Sequence, residues 1–277
     1  MHVHVVQVAY HDDEPVAERV ERVAALVRAR RGADLVVLPE LWPHGGFSYR
    51  TWVDRAEPVD GPSMTAIAAA AREIGAVVHA GSIIERPPPG GADLAAPGSA
   101  QAPQGRGLWN TSVVVGPDGR RLATYRKIHR FGFGTGEPAL LEAGDKVVVI
   151  RLGLAGRLTG VGLATCYDLR FPELFRLLLD RGAEVVLIPA AWPAARVEAW
   201  TLLGRARAVE NQCIVVQCNT GGAHSGVTMG GRSQVVDATG TVLAAAGDGE
   251  EVLVVDVDLE AVGAFRRSFP VLADRRL

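Results

Sequence analysis

The strongest constraint on the fold is a set of short, almost wholly apolar runs that alternate with amphipathic stretches of helical period. Leu35-Val-Val-Leu-Pro39, Val185-Val-Leu-Ile-Pro and Cys213-Ile-Val-Val-Gln-Cys218 are too short for helices and carry little of the in–out alternation of a half-exposed strand. Such runs belong to strands buried on both faces, hence to sheets covered by helices. Strands are expected at 3–9, 34–39, 76–83, 110–116, 146–151, 158–165, 184–189, 213–218, 232–237 and 251–256, and helices at 14–31, 62–74, 171–181 and 197–211. Val16, Val20, Val23, Leu26 and Val27 recur at helical spacing in the first helix. Gly116-Pro-Asp-Gly119 and Asp237-Ala-Thr-Gly240 close two hairpins, at 110–125 and 232–245. The class is α/β. No internal repeat or linker divides the chain, so 1–277 reads as one domain. A Pro/Gly/Ala-rich stretch at 86–107 reads as a mobile surface insertion.

One strand ends in chemistry. Gly160-Val-Gly-Leu-Ala-Thr-Cys166-Tyr-Asp-Leu-Arg170-Phe-Pro-Glu173 is an apolar strand that stops at a cysteine, turns, and opens a helix near Pro172. A side chain on such a turn projects from the sheet edge beside free backbone N–H groups, which suits a nucleophile. Two other segments supply what a thiol needs. Glu40 emerges from a buried strand, and Lys127 lies in Tyr125-Arg-Lys127-Ile-His129-Arg-Phe131. Of 29 basic residues only Lys127 and Lys146 are lysine. Arginine serves everywhere else, which favours a specific need for the compact ammonium charge. Lys146, in Gly144-Asp-Lys-Val, is an ordinary turn residue.

These segments resemble, in this order, the nitrilase superfamily of carbon–nitrogen hydrolases, whose mark is a Glu-Lys-Cys triad. The resemblance runs from Val3-His-Val-Val-Gln-Val-Ala through the three motifs to Arg205-Ala-Arg-Ala-Val-Glu210-Asn-Gln and Gly231-Arg-Ser-Gln-Val-Val-Asp-Ala-Thr-Gly240. It implies a four-layer α-β-β-α sandwich and amide hydrolysis without metal or organic cofactor. In that frame Cys166 is the nucleophile and Glu40 the general base. Lys127 holds the oxyanion with the backbone N–H of Tyr167, and its charge favours the thiolate. Glu137, in Gly134-Thr-Gly-Glu137-Pro, matches a second family glutamate, with Glu142 as the competing position. Arg170 either clamps a substrate carboxylate or pairs internally with Asp168 or Glu173. Trp192, Tyr49 and Phe133 are pocket walls or core. His129 braces the lysine loop, and Cys213 and Cys218 pack in the core, since with His224 their spacing fits no zinc pattern.

The run Ile188-Pro-Ala-Ala-Trp192-Pro and the Trp200–Gln212 helix are similar to the omega-amidase-like branch, which acts on monoamides of dicarboxylic acids. N-carbamoyl amino acid hydrolysis, deaminated glutathione amidase activity and a non-catalytic assembly role remain alternatives, and Cys-Tyr-Asp argues against a nitrilase proper. A net charge of −2 without a basic stripe argues against nucleic acid. No apolar run is long enough for a bilayer. The three cysteines suit a reducing cytoplasm. The resemblance also implies a homodimer or higher homo-oligomer.

Overall fold

The computed structural model describes residues 1–87 and 107–276. Residues 88–106 of the expected insertion lie outside the described residues. Two six-stranded sheets dominate. The first runs, in spatial order, Glu251–Asp256, His2–Gln7, Leu35–Val37, Val77–Glu85, Trp109–Val115 and Arg121–Arg126. The second runs Val149–Leu154, Arg157–Leu163, Val185–Pro189, Ile214–Cys218, Gln234–Val236 and Val242–Ala245. Each has three neighbouring parallel strands, one antiparallel strand on one side and two on the other. The halves therefore repeat one topology that no internal sequence repeat announces. The C-terminal strand Glu251–Asp256 returns to the first sheet and occupies there the place that Val149–Leu154 fills in the second.

Alternate residues of the apolar runs explain the layering. Val3, Val5, Leu35 and Val37 of one sheet meet Val161, Leu163, Val185, Leu187 and Val216 of the other in a shared core. The intervening Val6, Val36, Leu38 and Val78 face helices Val16–Arg28 and Pro62–Ile74. Val186, Ile188 and Val215 face helices Pro172–Asp180 and Val197–Asn211. The parallel strands thus bury both faces along most of their length, one on a sheet and one on helices, which is why their sequences show no polar stripe. The result is the expected α-β-β-α sandwich.

Helix ends follow local chemistry. Pro62 and Pro172 occupy first turns, where a missing N–H costs nothing. Gly75 ends Pro62–Ile74 in the left-handed conformation at φ 67°. Both hairpins form as expected. The expected strand at 146–151 begins later, at Val149. Two features were not expected. A small sheet joins Ala9–His11, Gly221–His224 and Val227–Thr228. A C-terminal helix spans Glu260–Ser268, where one buried residue, Val262, and an internal glycine give a weak periodic signal.

Candidate active site

The C-terminal ends of the parallel strands gather at one edge of the sandwich, the usual place for a site in such sheets. Glu40 follows Leu35–Val37, Cys166 follows Arg157–Leu163, Ala191 follows Val185–Pro189, and Lys127 follows the antiparallel strand Arg121–Arg126. All four line a cleft of roughly 400 Å³, part of it open to solvent.

Glu40 is locked from both sheets. Its Oε1 accepts hydrogen bonds from Lys127 Nζ and Asn110 Nδ2, both at 2.8 Å. Its Oε2 accepts the Ala191 N–H at 2.8 Å. Lys127 Nζ also lies 3.0 Å from Glu137, whose Oε1 accepts from Asn110 Nδ2 at 2.8 Å. The Phe131 N–H donates to the other Glu137 oxygen at 2.5 Å. Glu40, Lys127 and Glu137 are all buried, and the lysine is no surface residue. Burial pulls its ammonium down, but Glu137 and Glu40 outweigh that and hold it well above the ordinary lysine range. Burial pushes the Glu137 carboxyl up, Lys127 pulls it down, and the raised direction prevails.

Cys166 begins the 3-10 turn Cys166–Arg170 and has φ +48°, a left-handed conformation that costs a non-glycine residue about 1–3 kcal/mol. The turn holds it there. Asp168, fully buried, accepts the Thr165 N–H at 2.8 Å and thereby closes a capping box. The same carboxylate accepts the Tyr125 hydroxyl at 2.7 Å, the His129 N–H at 2.9 Å, and sits 2.7 Å from His129 Nδ1. Asp168 therefore ties the cysteine turn to the lysine loop. His129 stacks on Phe171 at 3.8 Å and is not among the residues lining the cleft that holds Cys166, in keeping with a bracing role.

Lys127 favours the Cys166 thiolate, as expected, but it does not act alone. Burial and the Glu40 carboxylate raise the thiol well above its ordinary value, and the lysine's opposing pull is smaller. The resting side chain is a thiol facing a carboxylate.

Tyr49 and Trp192 line the cleft as expected, and burial pushes the Tyr49 hydroxyl up to about 12. Phe133 does not line it. It is 84% exposed, and Phe131 takes the wall instead, together with Phe47. Gly132 and Gly134, at φ 140° and 76°, break the extended path on which residues two apart would share a face. Arg170 forms no ion pair with Asp168 or Glu173. Asp168 is engaged by His129, and the Arg170 guanidinium lies over the Trp192 ring at 4.9 Å, on the cleft wall. Of the two glutamates considered beyond Lys127, Glu137 is the one brought to its ammonium. Among the described residues no cluster of three His, Cys, Asp or Glu side chains is placed to hold a metal. Cys213 and Cys218 are free and buried.

Sequence reasoning missed Asn110, the Ala191 N–H, Phe47 and Arg196. A signal existed for the first. Asn110-Thr-Ser112 puts three polar residues in succession into a strand that is otherwise apolar past its first residue.

Residues 2–267 match the sequence profile of the family described as Carbon-nitrogen hydrolase. The chain belongs to this family. A 2-oxoglutaramate amidase of Paenarthrobacter nicotinovorans is 44% identical over 274 residues, 99% of this chain and 89% of that protein. A 2-oxoglutaramate amidase of Bacillus subtilis is 32% identical over 244 residues, covering 88% and 85%. Among solved structures, a CN-hydrolase superfamily protein of Xanthomonas campestris with an arsenic adduct in its active site superposes with a TM-score of 0.84 at 29% identity, covering 100% of this chain and 97% of that one. This carbon–nitrogen hydrolase is accordingly an amidase acting on non-peptide C–N bonds, in the branch whose named relatives are omega-amidases.

Proposed function

We propose that this amidase hydrolyses the ω-amide of a small dicarboxylic acid, 2-oxoglutaramate foremost, through a thioester on Cys166. The observation that carries the mechanism is a left-handed Cys166 facing Glu40, itself bound to a buried lysine. The substrate rests on the 44% identical relative and on Arg170.

In this reading Glu40 accepts the thiol proton as sulfur attacks the amide carbon. A carboxylate offers about four acceptor positions, and Lys127, Asn110 and Ala191 occupy three of them. The fourth serves the thiol. An ammonium has three donors. Glu40 and Glu137 take two from Lys127, leaving one for the oxyanion. The Tyr167 N–H, in the first turn of the 3-10 segment, is the second oxyanion donor. The Glu40 proton passes to the leaving nitrogen, ammonia departs, and a thioester remains. Glu40 then deprotonates a water that attacks the thioester, giving the acid and restoring the thiol. Glu137 keeps Lys127 charged and aimed. Arg170 receives the distal carboxylate, with Trp192 and Tyr49 as walls. The sequence of steps balances without metal or organic cofactor.

The proposal includes a cytoplasmic setting, in keeping with free thiols throughout. It also includes a homodimer, in keeping with Leu177, Leu202 and Val209 standing exposed on the two outer helices of the second sheet. The test is ammonia release from 2-oxoglutaramate, succinamate, N-carbamoyl amino acids and nitriles, with Cys166→Ala alongside. Release from 2-oxoglutaramate that vanishes in the variant is expected. Release from another class alone would replace the substrate, and activity surviving in the variant would remove Cys166 as nucleophile.

A further inference from the structure

The cleft has two arginines, and only one of them was expected. Arg196 lies in the short 3-10 turn Ala194–Arg196, before the helix Val197–Asn211, and lines the same cleft as Cys166 and Arg170. Its guanidinium stands over the Phe131 ring at 5.3 Å. Its backbone carbonyl accepts the Trp192 indole N–H at 2.7 Å. The face of that indole carries Arg170 at 4.9 Å. One buried tryptophan thus positions both arginines, one on its ring and the other through its N–H. Phe131 is fixed in turn by its N–H bond to Glu137.

Neither guanidinium has a carboxylate partner among the described residues. An arginine over an aromatic ring keeps its fork of N–H groups free at the edge, oriented and partly shielded from water. Two like charges around one small cleft repel unless an anion comes between them. The floor has the opposite sense. Glu40 and Glu137 face a single Lys127, so carboxylates outnumber cations there. An amide bearing a carboxylate is therefore repelled if it enters anion-first and attracted if its amide goes to the floor and its carboxylate stays among the arginines.

We propose that Arg196 is a second carboxylate-recognition residue, acting with Arg170 to select ω-amides with an anionic far end and to orient them amide-inward. The inference rests on the amidase reading above and adds a specificity residue to it. A carboxylate next to a carbonyl, as in a 2-oxo acid, presents enough acceptor positions for two guanidinium forks. A bare carboxylate presents fewer, so the 2-oxo substrate gains most from the pair.

The test compares Arg196→Met, which keeps most of the stem and loses the fork, with Arg196→Lys. The substrates are 2-oxoglutaramate, glutaramate and uncharged pentanamide. For Arg196→Met, kcat/KM on 2-oxoglutaramate is expected to fall about 10- to 100-fold, chiefly through KM, as for a lost charge-assisted pair. Glutaramate should lose less, and pentanamide should stay within about twofold of wild type, since no lost contact reaches it. Lysine should restore part of the loss. A second readout needs no turnover. Calorimetric binding of 2-oxoglutaramate to Cys166→Ala should weaken at least about tenfold when Arg196→Met is added. An equal fall on all three substrates would make Arg196 a support for Phe131 instead, and unchanged 2-oxoglutaramate kinetics with unchanged binding would overturn the proposal outright. Should wild type hydrolyse none of the three, the amidase reading fails, while the binding comparison still judges Arg196.

Discussion

Asparagine at position 168 is the sharpest perturbation of the arrangement that holds Cys166. The wild-type carboxylate accepts at both oxygens. Thr165 N–H and Tyr125 Oη reach Oδ2, and His129 N–H and Nδ1 reach Oδ1. Asparagine has the same shape but only one acceptor oxygen. If its NH2 replaces Oδ2, Tyr125 can turn its hydroxyl to accept, but the Thr165 N–H cannot. If it replaces Oδ1, His129 can switch tautomer, but the His129 N–H cannot. Either way one buried backbone donor loses its acceptor, at a cost of about 1–3 kcal/mol. Alanine loses all four contacts and should cost roughly 3–5 kcal/mol. Guanidinium unfolding of wild type, Asp168→Asn and Asp168→Ala measures this ladder. In a chain of this size each kcal/mol also lowers Tm by roughly 2–4 °C. The functional effect should be larger than the stability effect. With the capping box broken, the strained Cys166 backbone relaxes, and a nucleophile misplaced by about 1 Å loses on the order of 100-fold in kcat. An Asp168→Asn enzyme with wild-type unfolding midpoint and wild-type kcat would refute the reasoning, because the turn would then hold its strain without the carboxylate.

Three further predictions follow from the same site. Because the Cys166 thiol is raised, its thiolate fraction at pH 7 lies below that of an ordinary cysteine, so alkylation by iodoacetamide should be slow at neutrality and still climbing at pH 9, whereas a plateau below pH 8 would contradict the thiol state. Lys127→Met leaves Glu40 and Glu137 buried together without their cation, and should abolish turnover and destabilise by roughly 3–5 kcal/mol at pH 8. The sign with pH is fixed. Burial already raises the Glu137 carboxyl and Lys127 opposes that rise, so without the lysine the stability this carboxyl contributes is greatest below its unfolded value and is lost as pH rises, and the variant's deficit should shrink at pH 5 in urea melts. Gly81 has φ +72°, and a Cβ there would lie 1.9 Å from the Pro39 carbonyl oxygen, so Gly81→Ala should cost at least about 1–3 kcal/mol and, by shifting the strand end before Glu40, depress kcat more than it raises KM.

The layers were legible because a strand buried on both faces writes itself as an uninterrupted apolar run, and a helix on a sheet writes itself at its own period. Glu40 and Cys166 were legible for a related reason, since each follows such a run where a charged or reactive side chain has no packing role, whereas Lys127 follows the polar strand Arg121–Arg126 and was legible by its motif and as one of two lysines. Glu137 and Arg170 were legible as positions, but their partners were not. Whether Arg170 paired with Asp168 depended on Asp168 being already occupied by Tyr125 and His129, residues about forty positions away. The pull of Lys127 on Cys166 was legible, but its balance was not, because a sequence shows that a cation is near but not how much burial and how close a carboxylate oppose it. Phe133 and Phe131 exchanged roles because two glycines between and beside them change the direction of the chain, and glycine's freedom hides that direction from any pattern.

By itself the sequence determined the strand and helix inventory, the strand-end positions of the reactive residues and the family they resemble. These are properties of local chain segments and their burial demand. The tertiary structure alone decided that the halves share one topology, that Asn110 and the Ala191 N–H complete the Glu40 cluster, and that Arg196 joins Arg170 around Trp192. Those facts arise where segments distant in the chain converge, and hydrogen bonds between such segments leave no period in either one.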